Sequence, residues 1–421
     1  MADEPTSPRV LLIAYYFPPL GGAGVGRPLA LARYLPEYGI ACDVLTVKPV
    51  AYHIHEPELL EGLDLRTIYR SGSYDPQRLL HLLGQRRSHG ARTPELQRRA
   101  RRIYPDTKRG WIGPAVRLGT RLLAQRHYDA IISTSPPISA HYVARRLARA
   151  SGVKWLADFR DPWTSRRLED WFLDPNLQAR AWAFIREAKQ TAAALIATNR
   201  STADYLGCQH TIPNGYDPEV ASQWQAPTDH SVLTIGLLGT IDSLTPIEPL
   251  ATWLAELYKQ VPQLCGRIKI AHVGRCDHLA QVQAVRAAAP NIDVACHGLK
   301  PRRETVALLN EAVVLYLGID PDIGAGLTPG RFFDMLASGR RLLVSASANS
   351  DVAKIVGATG CGQVFDPQIK DDAAAIGFLQ QTVQDWLKGD LTIECPPSYA
   401  APYSYRQVAK RFADLIVGRP G

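Results

Sequence analysis

The chain has no run of about 18 uncharged apolar residues, so no segment reads as a transmembrane helix. Its polar start, MADEPTSPR, lacks the apolar stretch of a secretory signal. The expected location is therefore cytoplasmic, with peripheral attachment to the inner face of the cell membrane as an option. Cysteine is scattered: seven residues, at 42, 208, 265, 276, 296, 361 and 395, form no C-x-x-C pair. An odd count without framework spacing predicts reduced thiols and no metal site. A complete dinucleotide fingerprint is missing as well. The loop FPPLGGAGVGRP has glycines at 21, 22, 24 and 26, but Arg27 and Leu29 stand where G-x-G-x-x-G needs its last glycine. No acidic residue ends the next strand, since Asp43 lies near its start. An NAD site is thereby set aside, whereas a Gly-Gly turn that lets backbone approach an anion or a sugar is retained.

What is present fits a globular protein of two domains. The 421 residues exceed one comfortable core, and 46% are apolar against 21% charged. The net charge of +8 is uneven: between 78 and 126, thirteen Lys/Arg face only Glu95 and Asp106, a local +11, so the remainder sums to −3. Such a segment suits an anionic membrane surface or, equally, a solvated helical face. No nucleic-acid module accompanies it and aromatics are not interleaved, so no nucleic-acid partner is expected.

The periodicity predicts α/β units. RVLLIAY (9–15) is a continuous apolar run, the mark of a strand buried on both faces; the glycine loop, LALARYLPEYG and ACDVLTV complete a βαβ unit. After the basic segment, read as a helical insertion, come the strand YDAIIST, the loop SPPISAH, a helix from about 142 to 150 and the strand WLADF, which runs into RDPW. Arg160, Asp161 and Trp163 thus sit at a strand C-terminal end, where ligands collect in such sheets. Helix 178–193 and the strand LIATN follow, and TIPNGYDP (211–218) closes the domain. A second set of strands, LTIGLLG, RIKIAHVG, IDVACHG, VVLYLGI and RLLVSAS, alternates with helical segments. Between its last two strands lies GLTPGRFFDMLASG (326–339), with a helix-start signature at Thr328 and Pro329, Arg331 and Asp334 in the first turns, and Gly339 at the close. A helix N-terminus with a bidentate cation can hold phosphate, and a carboxylate one turn later can accept a sugar diol.

With these residues placed, the chain resembles the GT-B glycosyltransferases, and within them the family 4 type that builds bacterial polysaccharides and glycolipids. The resemblance rests on the order of YYFPPLGGAGVGRPLALARYLPEYG, PDTKRGW, YDAIISTSPPISAH, WLADFRDPW, IPNGYD and LTPGRFFDMLASGRRLL, and covers nearly the whole length. It implies two doubly wound Rossmann-like domains facing one cleft. Residues 1–218 would be the acceptor-side domain with the basic insertion 78–126, 219–231 a linker, 232–400 the nucleotide-sugar domain, and 401–421 a helix returning to the first domain. It further implies a retaining transfer from a UDP-, GDP- or dTDP-sugar to a hydroxyl acceptor, without a metal, an enzyme nucleophile or a tightly bound cofactor. Carried over by position, Gly21 and Gly22 lie against the donor, Arg331 with Gly330 meets the diphosphate, and Asp334 holds the ribose. Loops at Gly274–Arg275 and at Gly298 frame the base. Candidates for contact with the reacting groups are Arg331, Asp161 and His141, and acceptor-side candidates are Ser135, Arg160 and Trp163.

Two departures from the family pattern stand out. Gly326 occupies the place of a common Glu, which leaves Asp320 or Asp322 to meet the sugar hydroxyls. The stretch GTIDSLTPIEP carries none of the cations usual after the first strand of the second domain, so the diphosphate depends on Arg331, with Arg275 as a helper. The favoured reading is a transferase acting on a lipid-linked or polysaccharide precursor at the cytoplasmic membrane face. A soluble enzyme that decorates a small metabolite and a non-catalytic GT-B partner subunit are the alternatives.

Overall fold

The computed structural model describes residues 7–22, 24–50, 54–76, 78, 99–163, 167–264, 266–289, 291–369, 372–389 and 397–419. The chain divides into two compact units, residues 1–214 with 405–421, and residues 215–404. The polar stretch 219–231 therefore lies inside the second unit, and the C-terminal helix belongs to the first.

In the first unit the strands are β1 (Arg9–Ile13), β2 (Ala41–Val47), β3 (Ile68–Ser71), β4 (Ala130–Ser135), β5 (Lys154–Phe159), β6 (Ala194–Ala197) and β7 (His210–Thr211). All pair in parallel, in the order β3-β2-β1-β4-β5-β6-β7. The order reverses between β1 and β4, which opens a crevice at their carboxyl ends. Helix α1 (Gly26–Tyr34) covers one face, and α2 (Ile112–Gln125), α3 (Ser139–Ser151) and α4 (Pro175–Thr191) cover the other; α5 is Arg200–Leu206. Of the basic segment, 79–98 lies outside the described residues. Its C-terminal part is α2, the crossover from β3 to β4, which buries Ile112, Ala115, Gly119 and Leu122 and leaves Arg117 and Arg121 exposed.

The second unit holds β8 (Leu233–Leu238), β9 (Ile268–Val273), β10 (Asp293–Cys296), β11 (Ala312–Gly318), β12 (Arg341–Ser345) and β13 (Gly362–Phe365). Their order is β10-β9-β8-β11-β12-β13, again parallel, with its reversal between β8 and β11. The helices are α6 (Glu248–Gln260), α7 (Leu279–Ala288), α8 (Arg302–Leu309), α9 (Gly330–Ala337), α10 (Asp351–Thr359) and α11 (Asp372–Leu387). One face of the sheet packs Trp253, Leu254, Phe365, Leu379 and Trp386; the other packs Leu315, Leu317 and the α9 residues Phe332, Phe333, Met335 and Leu336. The thiols depart from expectation at one position: Cys361, fully buried, is disulfide-bonded. Its sequence spacing carries no such signal because a disulfide requires proximity in space only.

The C-terminal helix α12 (Tyr405–Val417) packs on the α1 side of the first sheet through Val408, Phe412 and Ile416. Beneath it lies Arg27, 1% exposed, whose Nε and Nη2 donate to the two Asp158 oxygens at 2.9 and 2.7 Å. Further bonds run from Arg27 to the carbonyls of Ile212 and Pro213, and from the Thr134 hydroxyl to Asp158. One buried ion pair thus joins α1, β4, β5 and the segment after β7. Asp158→Ala would leave Arg27 buried without its counter-charge, and chemical denaturation is expected to show a loss of about 3–5 kcal/mol. An unchanged unfolding midpoint would contradict this.

Candidate functional site

In the second unit, glycines end the strands nearest the reversal point. Gly239 follows β8 with φ +96°, and its N–H donates to the Val273 carbonyl at 2.8 Å. A Cβ there would fall 2.5 Å from the Arg331 Cδ and 2.6 Å from its Nη1, so only glycine lets this arginine lie across the strand end. Gly274 follows β9, donates to the Gly298 carbonyl at 2.9 Å, and a Cβ on it would collide with the Gly239 carbonyl. Arg331 rises from the second residue of α9, forms no ion pair among the described residues, and keeps its Nε buried without a partner. Burial presses its guanidinium down to about 10, opposed by Asp242, so it stays cationic at neutral pH. No side chain caps α9; the Thr328 hydroxyl beside its start is buried without a partner, and a Cβ on Gly330 would meet open space. An unneutralised cation, an uncapped helix start and open approach together make an anion site.

Asp334 lies one turn along α9, half-buried, with no hydrogen-bond partner among the described residues. Burial pushes its carboxyl up to about 6, with Arg302 opposing and Asp217 reinforcing. Arg275 is occupied differently, in a 2.6 Å ion pair with exposed geometry to Asp277. In GTIDSLTPIEP the Asp242 carboxylate accepts from the Leu244 and Thr245 N–H groups and the Thr245 hydroxyl, so the cation-free loop is a tight turn. Asp320 accepts from the Asp322 N–H at 2.8 Å, and Asp322 is exposed. Sequence reasoning passed over Gly239 and His272, the latter 1% exposed and bonded through Nε2 to the Gly239 carbonyl at 2.8 Å.

In the first unit, β1, β4 and β5 bring Gly21, Gly22, Ser135, His141, Arg160 and Asp161 to one end of the sheet. The Gly21 N–H donates to the Ile54 carbonyl, and the Glu56 carboxylate lies where a Cβ on Gly21 would go. Gly22 has φ +94°. Ser135 is fully buried, its hydroxyl without a partner. His141 is fully buried too, its Nδ1 2.7 Å from the Ser133 hydroxyl. That hydroxyl also accepts from the Trp155 indole at 2.7 Å, and the other ring nitrogen of His141, Nε2, is buried without a partner. Burial pushes this imidazole down to about 3, keeping it neutral. Arg160 spends its guanidinium on the carbonyls of Ser135, Gly24 and Pro136, clamping the glycine loop to β4. Asp161 is half-buried without a partner among the described residues, and burial raises it to about 6. Trp163 is fully buried against Tyr104, Phe172 and Phe184, a core residue under the loop. Among the described residues no group of three or more His, Cys, Asp or Glu could hold a metal.

No protein-family model matches the sequence. No curated protein matches it either. Solved structures do match over nearly the whole chain. Sucrose-phosphate synthase from Thermosynechococcus elongatus is similar at TM-score 0.64 and 14% identity, covering 98% of both chains. The trehalose-6-phosphate structure from E. coli bound with UDP-2-fluoro glucose is similar at TM-score 0.61 and 13% identity, covering 97% of this chain and 99% of that one. WaaG, a glycosyltransferase involved in lipopolysaccharide biosynthesis, is similar at 0.59 and 12%, covering 97% and 100%. At these identities the likeness is one of fold, and the fold is the GT-B fold of glycosyltransferases.

The raised Asp334 value carries a sign that can be checked. Its folded value is about 6, against about 3.9 in an unfolded chain. The folded state therefore holds the proton more tightly, and stability falls as pH rises from the lower value through the higher. Asp334→Asn removes this cost, so its melting temperature should exceed that of the wild type at about pH 7.5 and match it near pH 4. An equal gain at both pH values would assign the effect to packing instead.

Proposed function

We propose that the chain is a glycosyltransferase that moves a sugar from a nucleotide-sugar donor to a hydroxyl acceptor. The observation that carries this reading is Arg331, a half-buried cation without an ion pair at the uncapped start of α9, above a floor of glycines at the reversal point of the second sheet. In this reading Arg331 and the first N–H groups of α9 meet the donor diphosphate, where negative charge grows as the sugar leaves. Asp334, one turn on, accepts the two ribose hydroxyls, and its burial lets it bind them with little competition from water. The base of a UDP-, GDP- or dTDP-sugar lies toward Gly274 and Gly298. Their backbones present no side chain to obstruct it.

The acceptor belongs to the first unit. There Asp161 and the unpartnered Nε2 of His141 are the groups offered to a hydroxyl or a sugar oxygen. The reaction is read as retaining, the departing phosphate taking the acceptor proton on the face it leaves. A whole-length GT-B fold shared with a glycosyltransferase of lipopolysaccharide biosynthesis and with a protein holding UDP-2-fluoro glucose supports the class of reaction. A lipid-linked acceptor is favoured by Arg117 and Arg121, exposed one turn apart on α2, which suit an anionic membrane surface.

The testing experiment is a thermal-shift screen against UDP, GDP and dTDP. The cognate diphosphate should stabilise by about 2.7 kcal/mol at a hundred times its Kd, and Arg331→Ala should abolish the shift without unfolding the protein. An undiminished shift in Arg331→Ala would remove Arg331 from the site. No shift with any of the three would favour the non-catalytic reading. Vesicle flotation tests the membrane component: binding should require anionic lipid and weaken in Arg117→Glu/Arg121→Glu, and lipid-independent behaviour would favour a soluble acceptor.

A further inference from the structure

A histidine inside a buried parallel sheet needs a reason, because its polar atoms forgo water. His272 sits within β9, opposite Leu237 of β8 and Cys296 of β10, and is 1% exposed. We propose that His272 is a positioning residue for the donor site: its Nε2–H holds the Gly239 carbonyl and thereby fixes the glycine on which Arg331 rests. This inference rests on the donor-site reading above.

Four observations converge on it. A carbonyl only accepts, so the 2.8 Å contact assigns the imidazole proton to Nε2 and leaves Nδ1 bare, and Nδ1 is indeed buried without a partner. Gly239 has φ +96°, a conformation that turns its carbonyl inward to His272 and its Cα outward to Arg331. Gly274 makes room for that carbonyl, since any side chain there would collide with it. Arg331 packs its Cδ and Nη1 on Gly239 and forms no ion pair among the described residues, so the glycine surface is what sets its height. Without His272, the Gly239 carbonyl loses the side-chain donor that holds it. The peptide then has reason to rotate, carrying away the surface under the guanidinium. Burial lowers the imidazole's proton affinity, with Arg331 and His297 acting in the same direction, so the ring stays neutral and adds no competing cation.

Two variants separate positioning from packing. His272→Leu keeps the bulk and deletes the donor, while His272→Gln keeps an N–H donor for the Gly239 carbonyl. Binding of inorganic pyrophosphate and of UDP to the purified full chain should weaken about tenfold in His272→Leu and stay within about threefold of wild type in His272→Gln. A merely structural histidine would lower the melting temperature in both variants and leave the affinities of folded protein unmoved, which would overturn the proposal. Imidazole ¹⁵N NMR of the wild type supplies a readout that needs neither ligand nor a foldable variant: Nε2 protonated and Nδ1 bare supports the proposal, and the opposite tautomer overturns it. Failure of the wild type to bind either probe would count against the donor-site reading. The buried Arg331 Nε–H then decides the present inference alone: its solvent exchange should be slow in wild type and His272→Gln and fast in His272→Leu, and equal rates overturn it.

Discussion

An arginine withdrawn from water must find its counter-charge somewhere, and the two sheets of this protein answer that demand in opposite ways. Arg27 has Asp158 in bidentate geometry, two backbone carbonyls, and the Phe412 ring 5.2 Å from its guanidinium carbon. Arg331 belongs to the first turn of a helix and forms no ion pair among the described residues, with Asp242 acting on it only through space. The first arrangement is complete within the fold and can only stabilise. The second is incomplete, and an incomplete buried cation is a standing affinity for an anion. That difference, rather than any motif, is what makes Arg331 and not Arg27 the candidate for anion binding.

The parallel sheets supply the geometry in which this contrast arises. Strands buried on both faces must be apolar, so polar work is pushed to their carboxyl ends. At those ends the chain substitutes glycine wherever two backbones or a backbone and a guanidinium approach closely. Gly239 and Gly274 are each dictated by a different neighbour, Arg331 for the first and the Gly239 carbonyl for the second. On the other unit Arg160 does the equivalent work with a side chain, drawing three carbonyls of the glycine loop and β4 into one cluster.

Much of this was legible in the sequence. Continuous apolar runs such as RVLLI and VVLYL gave the buried strands, and Thr328, Pro329 and Gly339 bracketed α9 within two residues of its bounds. The edge strands β3 (IYRS) and β13 (GQVF) were missed, because four-residue strands at a sheet margin carry mixed polarity and no sustained period. Helix α2 was read as part of an insertion since its arginines masked a buried stripe of Ile112, Ala115, Gly119 and Leu122. Arg160 and Trp163 look alike in sequence, both lying just past a strand end; only their partners reveal that one clamps backbone and the other fills core. His272 left no trace in a linear reading, as its meaning lies in a carbonyl 33 residues away.

Both units also carry a histidine held neutral by burial. The Nε2 of His141 is without a partner, whereas the Nε2–H of His272 is taken by the Gly239 carbonyl. Neutrality matters in each place for a different reason. A charged His272 would sit close to Arg331 and repel the cation it is suited to seat, while a charged His141 would be an ion buried in the first sheet without a counter-ion in contact. In the second unit Arg331 thus stands as a cation without an ion pair among the described residues, close to a neutral ring. A site of that kind gains most from an anion whose charge increases during the reaction, because a fixed, weakly solvated cation stabilises growing charge without having to reorganise. Departure of a diphosphate from a sugar meets that description.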